Sequence, residues 1–151
     1  MLTENTTAPD FELLDETGTS RRLSDYLGSP VVLYFYPKDD TPGCTLEACS
    51  FRNDYKEYEN AGVIILGIST DTPKSHVKFK VKYHLPFTLL ADEDHQICEQ
   101  YGVWGKKKTF GRLYNGVFRT TFLIDKNGMI KKVFENVKPD GHSAEVLAAL
   151  K

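Results

Sequence analysis

The sequence predicts an α/β protein in which helices pack on one mixed β-sheet, and three observations carry that expectation. Val31-Val32-Leu33-Tyr34-Phe35-Tyr36 and Val63-Ile64-Ile65-Leu66-Gly67-Ile68-Ser69 are almost wholly apolar, rich in β-branched and aromatic residues, the composition of strands buried on both faces. A segment of helical spacing follows each, so two strand-helix-strand units succeed one another and imply parallel neighbours joined by right-handed crossovers. Later, an alternating stretch at 117–124, the tight turn Asp125-Lys126-Asn127-Gly128 and an answering stretch at 129–134 describe an antiparallel hairpin added to that parallel core.

Residues 3–9 are polar and predict a meander. Asp10-Phe11-Glu12-Leu13 alternates, Asp15-Glu16-Thr17-Gly18 is turn chemistry, and Ser20-Arg21-Arg22-Leu23 returns as a second short strand. Residues 24–28 predict one helical turn closed by Gly28. The 31–36 run should be a central strand. From 44 to 61 the residues Leu46, Cys49, Phe51, Tyr55, Tyr58 and Ala61 recur at roughly helical spacing, and Gly62 stands at the stop. Thr72-Pro73 opens a further helix with proline at its first position, and Val77, Phe79, Val81 and Tyr83 supply its apolar positions with imperfect period. A short strand at 87–90 and a short helix at 94–101 follow. Residues 105–116 are basic and Gly-rich and predict a loop. The segment 143–151 closes the chain as a helix with Val146, Leu147 and Leu150 on one side. With no repeat, low-complexity run or linker, residues 1–151 form one domain. This order is that of a thioredoxin-like fold with an extra N-terminal hairpin and an inserted strand and helix.

Composition narrows the function before any motif is read. The 151 residues, 40% hydrophobic and 26% charged, are enough for one sizeable core. A formal charge of −2 argues against a nucleic-acid or anionic-membrane partner. No apolar run approaches the roughly 20 residues of a spanning helix, and Met1-Leu2-Thr3-Glu4-Asn5 has neither the basic nor the apolar region of a signal peptide, so the expected compartment is the cytoplasm. Three cysteines are too few, and an odd number, for a secreted disulfide scaffold. Any disulfide here should be a working part. Neither a heptad pattern nor an evident apolar patch argues for an oligomer, and a monomer is expected.

The chemistry concentrates in Pro37-Lys38-Asp39-Asp40-Thr41-Pro42-Gly43-Cys44-Thr45-Leu46-Glu47-Ala48-Cys49, where a buried strand gives way to a helix. Thr41 suits an N-cap, Pro42 the first turn, and Gly43 a close backbone approach, so Cys44 should lie where unpaired N–H groups converge. Such a place favours a thiolate. The gain from ionisation is limited, because lowering a thiol pKa from about 8.5 to about 6 gains only roughly thirtyfold in ionised fraction at pH 7. Efficient chemistry at the sulfur needs fixed donors aimed at a leaving group as well.

Pro37, Thr41 and Cys44 fit a Pro-x-x-x-Thr-x-x-Cys pattern, and the chain from about residue 8 to 150 resembles the peroxiredoxins. The segment from Thr41 to Cys49, continued by Phe51-Arg52, is similar to the bacterioferritin-comigratory or PrxQ subgroup, as are Gly67-Ile68-Ser69-Thr70-Asp71, Asp92-Glu93-Asp94-His95, Gly102-Val103-Trp104-Gly105 and Arg119-Thr120-Thr121-Phe122-Leu123-Ile124-Asp125. The resemblance implies a thiol peroxidase for hydrogen peroxide and organic hydroperoxides that needs no metal, haem, flavin or other cofactor. It makes Cys44 the nucleophile that peroxide oxidises and Cys49 the resolving cysteine of an intramolecular disulfide, reopened by thioredoxin or a similar dithiol. Arg119 becomes the active-site cation, a guanidinium offering several donors to thiolate and peroxide together. Thr41 would place its hydroxyl on the peroxide, Pro37 would shield the thiolate, and Glu47, three residues after Cys44, shares its helix face and would orient Arg119.

Each of these residues has a plainer reading: Arg119 as a solvated strand-start residue, Thr41 as an N-cap, Pro37 as a strand terminator, Glu47 as an exposed helix-start acid. Cys98 is expected to be a core thiol, and His76, His84 and His142, in polar surroundings, solvated surface. A metal site from Cys44, Cys49, Cys98 and a histidine lacks the paired short spacing such sites use. Two other functions share the fold. A disulfide reductase should carry Cys-x-x-Cys, which is absent, and a peroxide-sensing switch would use the same two cysteines. If Cys44 and Cys49 share one α-helix, they stand about 7.5 Å apart along its axis and about 140° apart around it. A disulfide needs Cα atoms within roughly 6.8 Å, so the bond requires that helix to unwind.

Overall fold

The computed structural model describes residues 1–150. Its β-strands are β1 (Glu12–Asp15), β2 (Ser20–Arg22), β3 (Val31–Phe35), β4 (Ile64–Ser69), β5 (Thr88–Ala91), β6 (Trp104–Thr109), β7 (Arg112–Val117), β8 (Thr120–Ile124) and β9 (Ile130–Phe134). The helices are α1 (Pro42–Asn53), α2 (Tyr55–Asn60), α3 (Pro73–Tyr83), α4 (Gln96–Gln100) and α5 (His142–Ala149). Seven strands form one mixed sheet in the order β2-β1-β5-β4-β3-β8-β9. Strands β3, β4 and β5 run parallel, and β8 joins β3 antiparallel. This is the thioredoxin-like arrangement, with the N-terminal hairpin β1–β2 extending it through β5.

Strand β3 is buried along its whole length because both faces of the sheet are covered. Val31, Leu33 and Phe35 enter a core with Cys98, Tyr101, Phe122 and Ile130. Val32 and Tyr34, with Tyr36 just beyond the strand, enter another with Cys44, Phe51, Phe79 and Val146. The sheet therefore separates Cys98 from Cys44, which removes a metal centre drawing on both. Cys98 is fully buried, and burial first, then the Asp92 charge, pushes its thiol pKa up. It is the core thiol expected.

Four expectations need correction. The single helix expected over 44–61 is two, because Asp54 (φ −98°, ψ 5°) leaves helical geometry between α1 and α2. The loop expected over 105–116 is the hairpin β6–β7, paired from Trp104↔Val117 to Thr109↔Arg112 as a separate two-stranded sheet. Its turn residues Phe110 (φ 52°) and Gly111 (φ 77°) both have the positive φ of a type I′ turn. A Phe-Gly turn and a Lys106-Lys107-Lys108 strand that covers no core hide the alternation that would reveal it. Finally, His76 and His142 are completely enclosed while His84 is exposed. The inner face of α3 is His76 and Phe79, and Val77 and Val81, expected to be apolar anchors, face solvent.

Candidate active site

The turn from β3 into α1 puts Cys44 in the first turn of the helix. Thr41 is the N-cap, with extended backbone (φ −102°, ψ 155°), and Pro42 occupies the first helical position. The Thr45 N–H donates to the Thr41 carbonyl at 2.8 Å and starts the helical ladder. The Gly43 and Cys44 N–H groups precede it, at the positive end of the helix dipole. Thr41 does not cap with its side chain. Its hydroxyl donates backward to the Lys38 carbonyl at 2.8 Å, which fixes the rotor and leaves the oxygen's lone pairs as acceptors. Pro37 ends the strand segment and, with Lys38, Trp104 and Tyr114, lines a cavity of about 280 Å³.

Sheet register brings in Arg119. Phe35 pairs with Thr120 where β3 ends and antiparallel β8 begins, so the residue before β8 lies beside the turn leading to α1. Arg119 Nη2 donates to Cys44 Sγ at 3.4 Å, and Nη1 donates to Glu47 Oε1 at 2.7 Å. One planar guanidinium thus holds the thiol and the carboxylate together. Gly43 permits this approach, since a Cβ there would stand 3.1 Å from Arg119 Nη2. Burial pulls the Arg119 pKa down, but Glu47 and Cys44 beside it more than reverse this and hold it raised.

Glu47 is buried, not an exposed helix-start acid. Its Oε2 has no hydrogen-bond partner among the described residues, and burial raises its pKa to about 7 against the opposing Arg119 charge. His142 Nε2 lies 3.9 Å from that oxygen, beyond hydrogen-bond reach. Its Nε2 is instead 2.7 Å from Thr121 Oγ1 and its Nδ1 2.7 Å from Glu145 Oε1. Burial, opposed by Glu145, lowers the His142 pKa, consistent with a neutral ring that donates from Nδ1 to Glu145 and accepts from Thr121. Tyr34 adds a buried hydroxyl, also without a partner among the described residues. Burial and then the charges of Glu47 and Cys44 raise its pKa well above the usual tyrosine value.

The structure therefore gathers Cys44, Arg119, Glu47 and Thr41 at one helix start, with Pro37 closing the strand before it. Cys49 is half-buried on the same helix, and all three cysteines are free thiols. Sequence reasoning missed His142 and Tyr34. His142 left no signal in its polar neighbourhood, whereas Tyr34 sits in a strand readable as buried and its hydroxyl was the unaccounted polar atom.

A cysteine held at a helix start under an arginine, on a thioredoxin-like sheet, defines a thiol-dependent oxidoreductase. The chain belongs to the AhpC/TSA family, which it matches over residues 5–133. It is 49% identical over 144 residues to Peroxiredoxin Bcp of Bacillus subtilis, covering 95% of this chain and 92% of that protein. Peroxiredoxin Bcp of Escherichia coli is 50% identical over 144 residues with the same coverage. Among solved structures, Peroxidoxin BcpB from Mycobacterium tuberculosis gives a TM-score of 0.88 at 41% identity, covering 99% of this chain and 97% of that one. The bacterioferritin comigratory protein of Xanthomonas campestris, studied for its alkyl peroxide reduction activity, gives 0.88 at 38% identity, covering 93% and 89%. The protein is thus a peroxiredoxin of the Bcp or PrxQ kind, a thiol peroxidase. Among the described residues no helix is long and apolar enough to cross a membrane.

Proposed function

We propose that this peroxiredoxin reduces hydrogen peroxide and organic hydroperoxides at Cys44 and resolves the product with Cys49. The observation that carries the reading is the Arg119 guanidinium, bonded at once to Cys44 Sγ and Glu47 Oε1. The Cys44 thiolate attacks the terminal peroxide oxygen; an S–O bond forms, the O–O bond breaks, and its electron pair leaves with the alkoxide or hydroxide. Cys44 is oxidised by two electrons to a sulfenic acid and the peroxide is reduced to an alcohol or water. Arg119 stabilises the leaving oxygen by donors already in place. Thr41, its own proton committed to Lys38, accepts the hydrogen of the hydroperoxide and orients it. Glu47 fixes the guanidinium and acts through it.

Cys49 then attacks the sulfenic sulfur, expelling water and forming a disulfide, which an external dithiol of the thioredoxin type reopens by exchange. The protein works as a monomer in the cytoplasm on this reading, and neither nucleic acid nor a membrane enters it. Stopped-flow oxidation by hydrogen peroxide and by an alkyl hydroperoxide, followed by mass mapping, tests it. One equivalent of peroxide should yield a Cys44–Cys49 disulfide; mapping of the sulfenic acid to Cys49 or Cys98 would refute the assignment.

A further inference from the structure

Asp39 lies between Pro37 and Thr41, yet its side chain is buried. The Tyr36 hydroxyl donates to its Oδ1 at 2.6 Å and the Ser75 hydroxyl to its Oδ2 at 2.8 Å. His76 Nδ1, on α3, is 2.7 Å from the same Oδ2, and His76 Nε2 is 2.9 Å from the Leu90 carbonyl on β5. With Asp39 as a carboxylate, both partners of this imidazole are acceptors, and a neutral ring carries one N–H. Only an imidazolium donates to both. The buried pair is therefore a His76 cation on an Asp39 carboxylate, fully desolvated and fully hydrogen-bonded.

The ionisable groups facing His76 are Asp39, Asp71 beyond β4, and Tyr36 beyond β3, whose hydroxyl is 3.5 Å from Nδ1. Burial alone would depress the ring, but its bond to Asp39 and the Asp39 charge overcome this and raise its pKa. Tyr36 stays neutral, since burial and then Asp39 raise it well above the usual tyrosine value. Asp39, Asp71 and His76 cluster as cation ligands would, but Asp71 Oδ2 already accepts from Ser69 Oγ at 2.5 Å and from the Asp39 N–H at 2.9 Å. The group is a closed hydrogen-bond network.

Helix α3 holds the active-site segment elsewhere too. Asp40, in left-handed backbone (φ 53°), accepts from Lys82 Nζ at 2.8 Å and from the Tyr83 hydroxyl at 2.6 Å. On the far side of Cys49, Arg52 Nη1 donates to the Tyr83 carbonyl at 2.8 Å. The helix thus grips the chain on both sides of the two cysteines. The exposed Asp40 pair is worth little by itself, which leaves the buried pair to decide.

We propose that His76 is a positioning residue for the peroxide site: paired with Asp39, it fastens residues 37–41 to α3 and keeps Pro37 and Thr41 in place at the start of α1. The inference rests on Cys44 being the nucleophile. It goes beyond that reading in naming what stays fixed: the fastening persists when α1 unwinds to form the disulfide, so that the site reassembles on reduction. Because the folded His76 pKa is raised, the fastening is complete below the ordinary histidine value of about 6.5 and is lost as pH rises through the folded value. A neutral ring must then give up Asp39 or Leu90 and set a lone pair against an acceptor.

The test measures the rate of Cys44 oxidation by hydrogen peroxide, from pH 6 to alkaline pH, in the wild type, in His76→Asn and in Asp39→Ala/His76→Leu, the last leaving no buried charge unpaired. Both variants should react about tenfold more slowly than wild type at pH 6, about 1.4 kcal/mol of barrier, with the ratio shrinking toward one as pH rises. A ratio near one at pH 6, or a tenfold ratio constant with pH, would overturn the proposal. Hydrogen exchange supplies a readout independent of turnover. The Asp39 amide, whose N–H donates to Asp71 Oδ2, should stay protected in the oxidised wild type and lose protection in the double variant; its exposure on oxidation of the wild type would contradict the fastening. Failure of Cys44 as nucleophile would show separately, as peroxide leaving Cys44 unmodified even in the wild type.

Discussion

Cys44 and Arg119, seventy-five residues apart in sequence, meet at 3.4 Å between Sγ and Nη2. The thiol and a guanidinium donor are therefore arranged before substrate arrives, which is what preorganised electrostatic catalysis would require if Arg119 serves the leaving oxygen as proposed. Arg119→Lys keeps the charge but cannot span Cys44 and Glu47 as a planar fork does. Its rate constant for peroxide should fall by about 10²-fold or more, the cost of losing one preorganised donor. Stopped-flow fluorescence measures this, and a near-normal rate would make Arg119 a bystander.

Cys44→Ser should abolish peroxide consumption while leaving the fold intact, because Cys98 is sealed in the opposite core and Cys49 lies beyond the first helical turn. Peroxide consumption coupled to a thioredoxin system reads the outcome directly. Appreciable turnover in this variant would move the nucleophile to another thiol.

Glu47 links the site to stability. Its folded pKa, raised to about 7, exceeds the value of about 4.3 it has when unfolded. Between those values the folded state holds the extra proton, so this group's contribution to stability falls as pH rises. Glu47→Gln removes that contribution. Relative to wild type, the variant should become more stable as pH rises from about 4.5 to 7, by at most about 3 kcal/mol, while losing peroxidase rate above pH 7, where Glu47 is the anionic partner of Arg119. Urea denaturation across that pH range checks the sign; a difference independent of pH would show that Glu47 is ionised throughout.

A further consequence concerns damage. Without its partner thiol the Cys44 sulfenic acid persists and can be oxidised again to sulfinic acid. Cys49→Ala should therefore accumulate a species two oxygen atoms heavier at Cys44 in excess peroxide, while the wild type stops at the disulfide. Equal sensitivity of the two proteins by intact mass would count against Cys49.

What could be read from the sequence was what is local. Two buried strands, the helix-start geometry of Thr41, Pro42 and Cys44, and the shared face of Cys44 and Glu47 all follow from spacings of a few residues. Arg119 was different, since by spacing alone it is a strand-start arginine. Its meaning comes from the Phe35↔Thr120 register, which only the resemblance anticipated. His76 and His142 looked like surface because their partners, Asp39, Leu90, Thr121 and Glu145, come mostly from other elements, and tertiary hydrogen bonds make burial of a polar ring tolerable. The hairpin β6–β7 escaped because strands that do not cover a core need no apolar alternation.

The central claim is that Cys44 and Cys49 share α1 when reduced and must leave it to bond. In the structure both lie within Pro42–Asn53, where helical geometry separates them by about 7.5 Å along the axis and about 140° around it, too far and too divergent for a disulfide. Amide hydrogen exchange on the reduced protein and on the protein with its Cys44–Cys49 disulfide confirmed by mass is the direct measurement. Residues 43–52 should exchange faster in the oxidised form, with loss of helical circular dichroism, while the sheet keeps its protection. Identical protection of 43–52 in both redox states would contradict resolution by unwinding of α1.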